Sequence, residues 1–134
     1  MNAVISGSIK SALVVDDEEF SKDNLCEKLM TLGVSTVYGS SNGLAAIGVL
    51  DQMANPPDLI LCDIFMPDMD GIEFLGELAK RRYQGGLILV TGVNKAMLEV
   101  AQDIALAKEL RVLGAFIKPL SRQSLATALG ISVK

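Results

Sequence analysis

Five short strand-like runs, separated by segments with helical spacing, constrain the fold of this chain more than any other feature of its sequence. Four runs are apolar and the second is β-branched and aromatic; they cover residues 11–15, 36–39, 59–62, 87–90 and 112–117. Apolar residues recur at intervals of three and four between them, which predicts helices at 20–32, 42–53, 71–82, 95–110 and 121–129. Alternating strands and helices with short connections predict an α/β fold, a doubly wound parallel sheet with helices on both faces.

The length of the chain fits one domain. With 134 residues the chain can bury a substantial core, and we expect a single domain over 1–134 with its folded core at about 11–129. The first ten residues lack the basic start and long apolar run of a signal peptide. No stretch approaches the roughly 20 consecutive apolar residues of a membrane span. These features predict a soluble, cytoplasmic protein with no membrane contact.

Charge and residue content exclude several kinds of site. The formal net charge is −4 and the isoelectric point about 4.7, which argues against direct nucleic-acid binding because such a surface needs basic side chains. Histidine is absent, so imidazole catalysis, histidine ligation of a metal and a phosphohistidine on this chain are excluded. Cys26 and Cys62 lie far apart without a CxxC spacing, and we expect two buried free thiols rather than a disulfide or a metal pair.

Reactive side chains follow four of the five predicted strands. The first strand is followed by Asp16 and Asp17, the third by Asp63, the fourth by Thr91 and the fifth by Lys118. In open α/β sheets, ligands bind beyond the carboxyl ends of the strands. The sequence therefore predicts that three carboxylates, one hydroxyl and one ammonium group meet at the same edge of the sheet.

Three carboxylates at one edge repel each other, and a bound cation compensates for that repulsion. Mg²⁺ prefers oxygen ligands and keeps several waters, which leaves room for a phosphate oxygen; Mn²⁺ is the alternative ion. With a cation and the Lys118 ammonium nearby, Asp63 should remain ionised and nucleophilic. An aspartate can accept a phosphoryl group as an acyl phosphate, and this transfer needs mainly positioning and charge neutralisation.

Four motifs occur in order along the chain. They are LVVDDE at 13–18, LILCDIFMPDMDG at 59–71, VTG at 90–92 and IKP at 117–119. Together they resemble the motifs of response regulator receiver domains, the chemotaxis-regulator-like phosphoacceptors of two-component systems, over about residues 11–129. Each motif alone is weak, but four in register at strand ends form a specific signal. The resemblance implies a flavodoxin-like sheet of five strands in the order 2-1-3-4-5.

The resemblance also implies roles for the acidic residues. Asp63 resembles the phosphoacceptor of the family. Asp17 resembles its direct Mg²⁺ ligand, and Asp16 is expected to reach the metal largely through water. The backbone carbonyl of Phe65 is expected to supply a further ligand.

Further residues match the family's switch positions. Thr91 resembles the hydroxyl that moves toward the phosphoryl group, and Lys118 resembles the lysine that pairs with a phosphoryl oxygen. The Lys118–Pro119 peptide bond is expected to be cis. Pro67 and Gly71 are expected to shape the loop after the acceptor.

The function implied by the resemblance is that of a phosphorylation-dependent switch. The donor would be a sensor histidine kinase or a phosphotransfer protein. Phosphorylation would change the face formed by the fourth helix, fifth strand and fifth helix, which would control an output partner or domain and offers a surface for a homodimer. No multiple-turnover activity is expected beyond the chain's own phosphorylation and autodephosphorylation.

Two alternatives remain open at this point. The long predicted fourth helix and the segment LRVLGAFIKPL at 110–120 resemble receivers that precede a longer enzyme, such as a cyclic-di-nucleotide phosphodiesterase. A pseudo-receiver that binds partners without being phosphorylated is the second alternative, against which the complete set of acids, threonine and lysine argues.

Two features depart from the family pattern: the residue three places before the lysine, and the stretch from Thr91 to Lys118, which is several residues longer than in typical receivers. Receivers commonly carry an aromatic residue three places before the lysine, whereas this chain has Ala115 there and Phe116 one place later. Period-two alternation predicts that Phe116 points to the opposite face of the sheet, into the core, unless the strand is bulged. Phe65, two places after the acceptor, is expected to hinder the water that hydrolyses the acyl phosphate.

Overall fold

The computed structural model describes residues 9–66, 69–92 and 95–131. Its strands are β1 Ser11–Val15, β2 Thr36–Ser40, β3 Leu59–Asp63, β4 Gly86–Thr91 and β5 Arg111–Ile117. Its helices are α1 Glu19–Thr31, α2 Gly43–Gln52, α3 Gly71–Lys80, α4 Lys95–Ala107 and α5 Arg122–Leu129. The predicted alternation is confirmed, and every boundary lies within three residues of its predicted position.

The five strands form one parallel sheet in the order β2-β1-β3-β4-β5, which confirms the predicted doubly wound fold. Strand β1 shows how both faces are filled. Ala12 and Val14 join a cluster with α1 and α5, whereas Leu13 and Val15 join a cluster with α2, α3 and α4. All four side chains are fully buried. Helices therefore cover both faces, and the carboxyl ends of the central strands open at one edge of the sheet.

Side-chain caps mark the starts of three helices. Asn42, Asp70 and Ser121 each accept a hydrogen bond from the backbone N–H three residues later, which satisfies a donor that the first helical turn leaves unpaired. Helix α4 ends at Ala107, short of the predicted 110, and Glu109 then adopts a left-handed backbone with φ of 64°.

Strand β5 contains a β-bulge. Leu87 pairs with Val112 but Ile88 pairs with Gly114, so Leu113 is an extra residue on the edge strand. Without this insertion every later side chain of the strand would lie on the other face of the sheet. The bulge therefore decides which helices the last residues of β5 contact.

Downstream of the bulge, alternation resumes. Ala115 packs against the α2–α3–α4 side of the sheet and Phe116 against the α1–α5 side. The prediction that Phe116 lies on the face opposite to residue 115 is confirmed. Its ring covers Gly114, where an added Cβ would lie 2.6 Å from the ring and 3.4 Å from the Cβ of Ala128 on α5.

Several local expectations are also met. Cys26 and Cys62 are both free thiols, and Cys62 is buried, which raises its pKa well above the ordinary value. Cys26 is only partly buried, so the expectation of two buried thiols is wrong for that residue. The Lys118–Pro119 peptide bond is cis. Within the described ranges, each helix is too short or too polar to cross a bilayer.

Candidate metal and phosphoryl site

Residues at or just beyond the ends of β1, β3, β4 and β5 lie together at the carboxyl edge of the sheet. Asp16 and Thr91 are completely buried there and Asp63 is 5% exposed, whereas Asp17 is open to solvent. Lys118 reaches the same place from the end of β5. Strands β1, β3 and β4 are buried on both faces, so the sheet holds the residues at their ends in defined positions, whereas the edge strand β5 is partly exposed.

Asp16, Asp17 and Asp63 form a compact acidic group. One carboxylate oxygen from each of them lies within 4.8 Å of the others. Charges this close repel strongly in a partly buried site, and a hard divalent cation with oxygen ligands relieves the repulsion. The donor set consists of carboxylate oxygens only, and one of its three members faces solvent. It therefore fits Mg²⁺ or Mn²⁺ better than a metal that prefers nitrogen or sulfur ligands.

Lys118 joins two of these carboxylates. Its Nζ donates to Asp16 Oδ2 at 2.8 Å and to Asp63 Oδ2 at 2.9 Å. Burial alone would lower the pKa of Lys118, but its hydrogen bonds to Asp16 and Asp63 outweigh that effect and raise the pKa above its ordinary value. The ammonium group is therefore charged and supplies the one positive side chain that touches the acidic group among the described residues.

The environment of Asp63 sets its protonation. Burial raises the pKa of its carboxyl group, and the nearby Asp16 raises it further. The backbone N–H of Phe65 donates to Asp63 Oδ1 at 2.9 Å, and this bond together with Lys118 offsets only part of the increase. A cation beside Asp63 would favour its ionised form, which is the nucleophilic one.

Asp16 is held by three donors. Its Oδ1 accepts from the backbone N–H of Glu18 at 2.9 Å, and its Oδ2 accepts from the Ser21 hydroxyl and from Lys118, each at 2.8 Å. Sequence reasoning missed Ser21. The only signal for it is a hydroxyl residue in the first turn of α1, which is hard to distinguish from an ordinary surface serine.

Backbone pairing places Thr91 beside Lys118. The N–H of Lys118 donates to the carbonyl of Thr91 at 2.8 Å, which continues the pairing of β4 with β5 beyond Ile117. At Gly92 an added Cβ would lie 3.7 Å from Cδ of Lys118, so the lysine stem passes close to the end of β4. The ammonium group at the end of this stem reaches Asp16 and Asp63.

The loop after Asp63 is closed by a tight contact. The N–H of Gly71 donates to the carbonyl of Ile64 at 3.0 Å, and a Cβ on Gly71 would lie 2.5 Å from Cα of Ile64. Only glycine allows the backbones to approach this closely. The role expected of Pro67 falls on a residue outside the described ranges.

Two cavities differ in their relation to this site. One cavity of about 400 Å³ adjoins the site and is lined by Phe20, Ser21 and Lys118, among others. The Phe20 side chain is 84% exposed. A second cavity of about 550 Å³ lies at the opposite edge of the sheet, between Pro57, Tyr83 and Arg111. The larger of these two cavities is lined by none of the acidic residues or Lys118, so cavity size does not identify the candidate site.

The fold and these side chains define a doubly wound α/β domain with an acidic pocket built from its strand ends. The family described as "Response regulator receiver domain" matches the chain over residues 12–130. The chain is 31% identical over 121 residues to the positive alginate biosynthesis regulatory protein of Pseudomonas aeruginosa, which covers 89% of this chain and 45% of that protein. It is 32% identical over 111 residues to the regulator of RpoS of Escherichia coli K12, covering 83% of this chain and 31% of that protein.

Among solved structures, a response regulator from Colwellia psychrerythraea is similar with a TM-score of 0.76 and 28% identity, covering 92% of this chain and 95% of that one. The chain therefore belongs to the response regulator receiver domain family and is a two-component response regulator receiver. Family members bind Mg²⁺ in a cluster of aspartates. The chain spans less than half the length of these two curated relatives.

Proposed function

We propose that this receiver accepts a phosphoryl group on Asp63, with Mg²⁺ held by Asp16, Asp17, Asp63 and the backbone carbonyl of Phe65. The observation that carries the proposal is the bridge made by Lys118 between Asp16 and Asp63, beside a third carboxylate within 4.8 Å. Acids and a lysine so arranged fit a phosphoryl group, because its oxygens need positive partners on several sides.

Asp16 and Asp17 would coordinate the cation in different ways. Asp17 is exposed and makes none of the hydrogen bonds found among described residues, which leaves its oxygens for direct coordination. Asp16 already accepts three hydrogen bonds, so we assign it an indirect role through water. When bound, Mg²⁺ would neutralise the charge of the transferred group.

The transfer itself balances without a general base on this chain. One carboxylate oxygen of Asp63 forms a bond to phosphorus while the bond from phosphorus to the donor's histidine nitrogen breaks. The electron pair of that bond stays on the imidazole, which takes up a proton from solvent. Lys118 and the hydroxyl of Thr91 then bind oxygens of the acyl phosphate, which lowers the energy of the charge they carry. The absence of histidine from the chain is consistent with this scheme.

A phosphorylated histidine kinase or phosphotransfer protein would reach Asp63 from the side of α1. The cavity of about 400 Å³ opens there, and Phe20 on its rim is 84% exposed. A large exposed aromatic beside a reactive site favours contact with a partner protein. The cognate donor is therefore expected to cover Phe20 when it docks.

Output is proposed to pass through the face of α4, β5 and α5. Val100 and Leu106 on α4 and Ile117 on β5 are apolar side chains that are 48%, 54% and 42% exposed. Such a face offers a surface for a partner, for an output domain or for a second copy of this chain. Phosphorylation would shift the population of two arrangements of this face.

The relatives favour one variation on this scheme. Because the chain spans less than half the length of the two curated proteins it was compared with, it would act as the regulatory receiver of a longer protein. The segment at 110–120 is the sequence feature that makes a cyclic-di-nucleotide phosphodiesterase one candidate output enzyme. The length of the source open reading frame distinguishes that arrangement from a free-standing receiver.

The central test is phosphorylation by a small donor. Acetyl phosphate with Mg²⁺ should add one phosphoryl group to the protein, detected by intact mass, and chelation of the metal should prevent it. Asp63→Asn should abolish the label, whereas Asp103→Asn, a change on the exposed side of α4, should retain it. An unlabelled parent protein would instead support a pseudo-receiver. Size-exclusion chromatography of the two forms would then show whether phosphorylation changes oligomeric state.

A further inference from the structure

Ser21 touches the acidic group although it is neither an acid nor a residue at the end of a strand. It lies in the first turn of α1, half-buried, and its hydroxyl donates to Asp16 Oδ2 at 2.8 Å. The N-cap residue of this helix, Glu18, makes no side-chain cap, and Asp16 Oδ1 instead accepts the Glu18 N–H at 2.9 Å. Two hydrogen bonds, one to each carboxylate oxygen, thus connect Asp16 to the start of α1.

The same carboxylate oxygen receives Lys118. Asp16 Oδ2 is the shared acceptor of the Ser21 hydroxyl and the Lys118 ammonium group, while Lys118 also donates to Asp63. Asp16 is completely buried, so bulk water does not replace a donor that leaves. A buried carboxylate oxygen left without a partner carries a large desolvation cost.

Phosphorylation of Asp63 would change the hydrogen bonds that Asp16 receives. If Lys118 turns to a phosphoryl oxygen, as the proposed function requires, its hydrogen bond to Asp16 is weakened or lost. The Ser21 hydroxyl then remains as the side-chain donor on Asp16 Oδ2 among the described residues. Its bond holds the carboxylate in place while the charge distribution around it changes.

We propose that Ser21 is a positioning residue of the receiver, which keeps Asp16 hydrogen-bonded and oriented when Lys118 moves to the phosphoryl group. This inference rests on the proposed function. Loss of the Ser21 hydroxyl should therefore have little effect on ligand affinity while Lys118 still contacts Asp16. It should have a larger effect on the affinity for a phosphoryl group, because Lys118 then no longer contacts Asp16.

The test compares two ligands on the parent protein and on Ser21→Ala. Mg²⁺ alone is titrated by calorimetry, and beryllium fluoride with saturating Mg²⁺, a mimic of the phosphoryl group, is titrated by ¹⁹F NMR. We expect Ser21→Ala to weaken Mg²⁺ binding by no more than about twofold but to weaken beryllium fluoride binding by about tenfold, the scale of one hydrogen bond to a charged group. Ser21→Thr, which keeps the hydroxyl, should restore binding to within about twofold of the parent.

Controls separate positioning from stability. Ser35→Ala makes the same chemical change at an exposed position whose side chain enters none of the hydrogen bonds found in the described part of the chain, and it should leave both affinities unchanged. If Ser21 only stabilised the fold, Ser21→Ala would lower the melting temperature of the metal-free protein, because it removes a hydrogen bond to the buried Asp16. We expect an unchanged melting temperature instead, because Lys118 still contacts Asp16 in that state and alanine is the better helix former.

Each outcome decides between the proposals. Equal losses for the two ligands, or no loss for either, would overturn the role of Ser21 while leaving Asp63 as the acceptor. A parent protein that binds no beryllium fluoride and takes no label from acetyl phosphate would overturn the proposed function and the role of Ser21 with it.

Discussion

Phe65 contributes to the site through its backbone more clearly than through its ring. Its N–H donates to Asp63 Oδ1 at 2.9 Å, so any residue except proline at this position would keep that bond. The ring itself is 42% exposed and lies two residues from the acceptor carboxylate. It offers an attacking water neither a hydrogen bond nor a polar surface, and it should therefore slow the hydrolysis of an acyl phosphate on Asp63.

Phe65→Asn should accelerate loss of the phosphoryl group. An asparagine amide can hydrogen-bond a water molecule near the phosphorus, and we expect a rise of about three- to tenfold in the first-order decay rate, roughly 1 kcal/mol of barrier. The decay of the labelled protein is followed by intact mass after the donor is removed. Phe65→Leu, which stays apolar, is the matched control. A rate in Phe65→Asn that is unchanged or slower would contradict the shielding role of the ring.

Gly71 and Gly76 allow a matched comparison within one helix. Gly71→Ala would force a Cβ to within 2.5 Å of the Ile64 backbone, whereas a Cβ at Gly76 meets nothing within 4 Å. We expect Gly71→Ala to lower the free energy of unfolding by about 1–3 kcal/mol and Gly76→Ala to raise it by about 0.5–1 kcal/mol. Urea denaturation measures both. Similar shifts in the two variants would show that the loop after Asp63 yields to the extra methyl group.

Strand-end reasoning located the acidic group and Lys118 because parallel strands deliver their last residues to one edge, whatever their contacts in detail. It did not find Ser21, because that contact depends on the turn between β1 and α1 and on the rotamer of a short side chain. Neither leaves a periodic pattern in the sequence. The fold and the main carboxylates were therefore predictable, and the hydrogen bonds that orient them were not.

At the scale of elements, β5 illustrates how one inserted residue redirects a strand. The segment 112–117 reads as a continuous apolar run, so its existence as a strand was predictable. The bulge at Leu113 was not, since the sequence offers only Gly114 as a weak sign of it. By placing Phe116 on the side of α5 and Ala115 on the side of α4, the bulge leaves a small side chain where related domains commonly carry an aromatic.

The packing of Phe116 on Gly114 is testable by a double-mutant cycle. Gly114→Ala should lower the free energy of unfolding by about 1–3 kcal/mol, because the added Cβ would lie 2.6 Å from the Phe116 ring. In a Phe116→Ala background the ring is gone and most of that cost should disappear, giving a coupling energy of about 1 kcal/mol or more. Urea denaturation of the four proteins measures the cycle. Strict additivity, to within about 0.5 kcal/mol, would show that the two residues do not meet.

In the whole molecule, the reactive residues and the buried contacts of Tyr83 lie at opposite ends of the strands. The carboxyl edge of the sheet holds the acids and Lys118, whereas the opposite edge is held by buried contacts around Tyr83, which is 6% exposed. The Tyr83 hydroxyl donates to the carbonyl of Pro57 at 2.8 Å and lies 3.3 Å from the carbonyl of Gly86. It thereby ties the end of α3 to the starts of β3 and β4. A change at this edge should alter stability without altering phosphorylation directly.

Tyr83 also predicts a pH dependence of stability. Burial raises the pKa of its phenol above the ordinary value, with the nearby Asp58 contributing. Above about pH 10 the unfolded chain loses this proton while the folded chain keeps it, so stability falls with rising pH by up to about 1.4 kcal/mol per unit. Tyr83→Phe should cost about 1 kcal/mol at pH 7, and its deficit relative to the parent should shrink as the pH rises through 10. Urea denaturation from pH 7 to 11 measures this, with Tyr38→Phe, at the exposed tyrosine, as the control. A deficit that stays constant with pH would mean that the Tyr83 phenol ionises equally in both states.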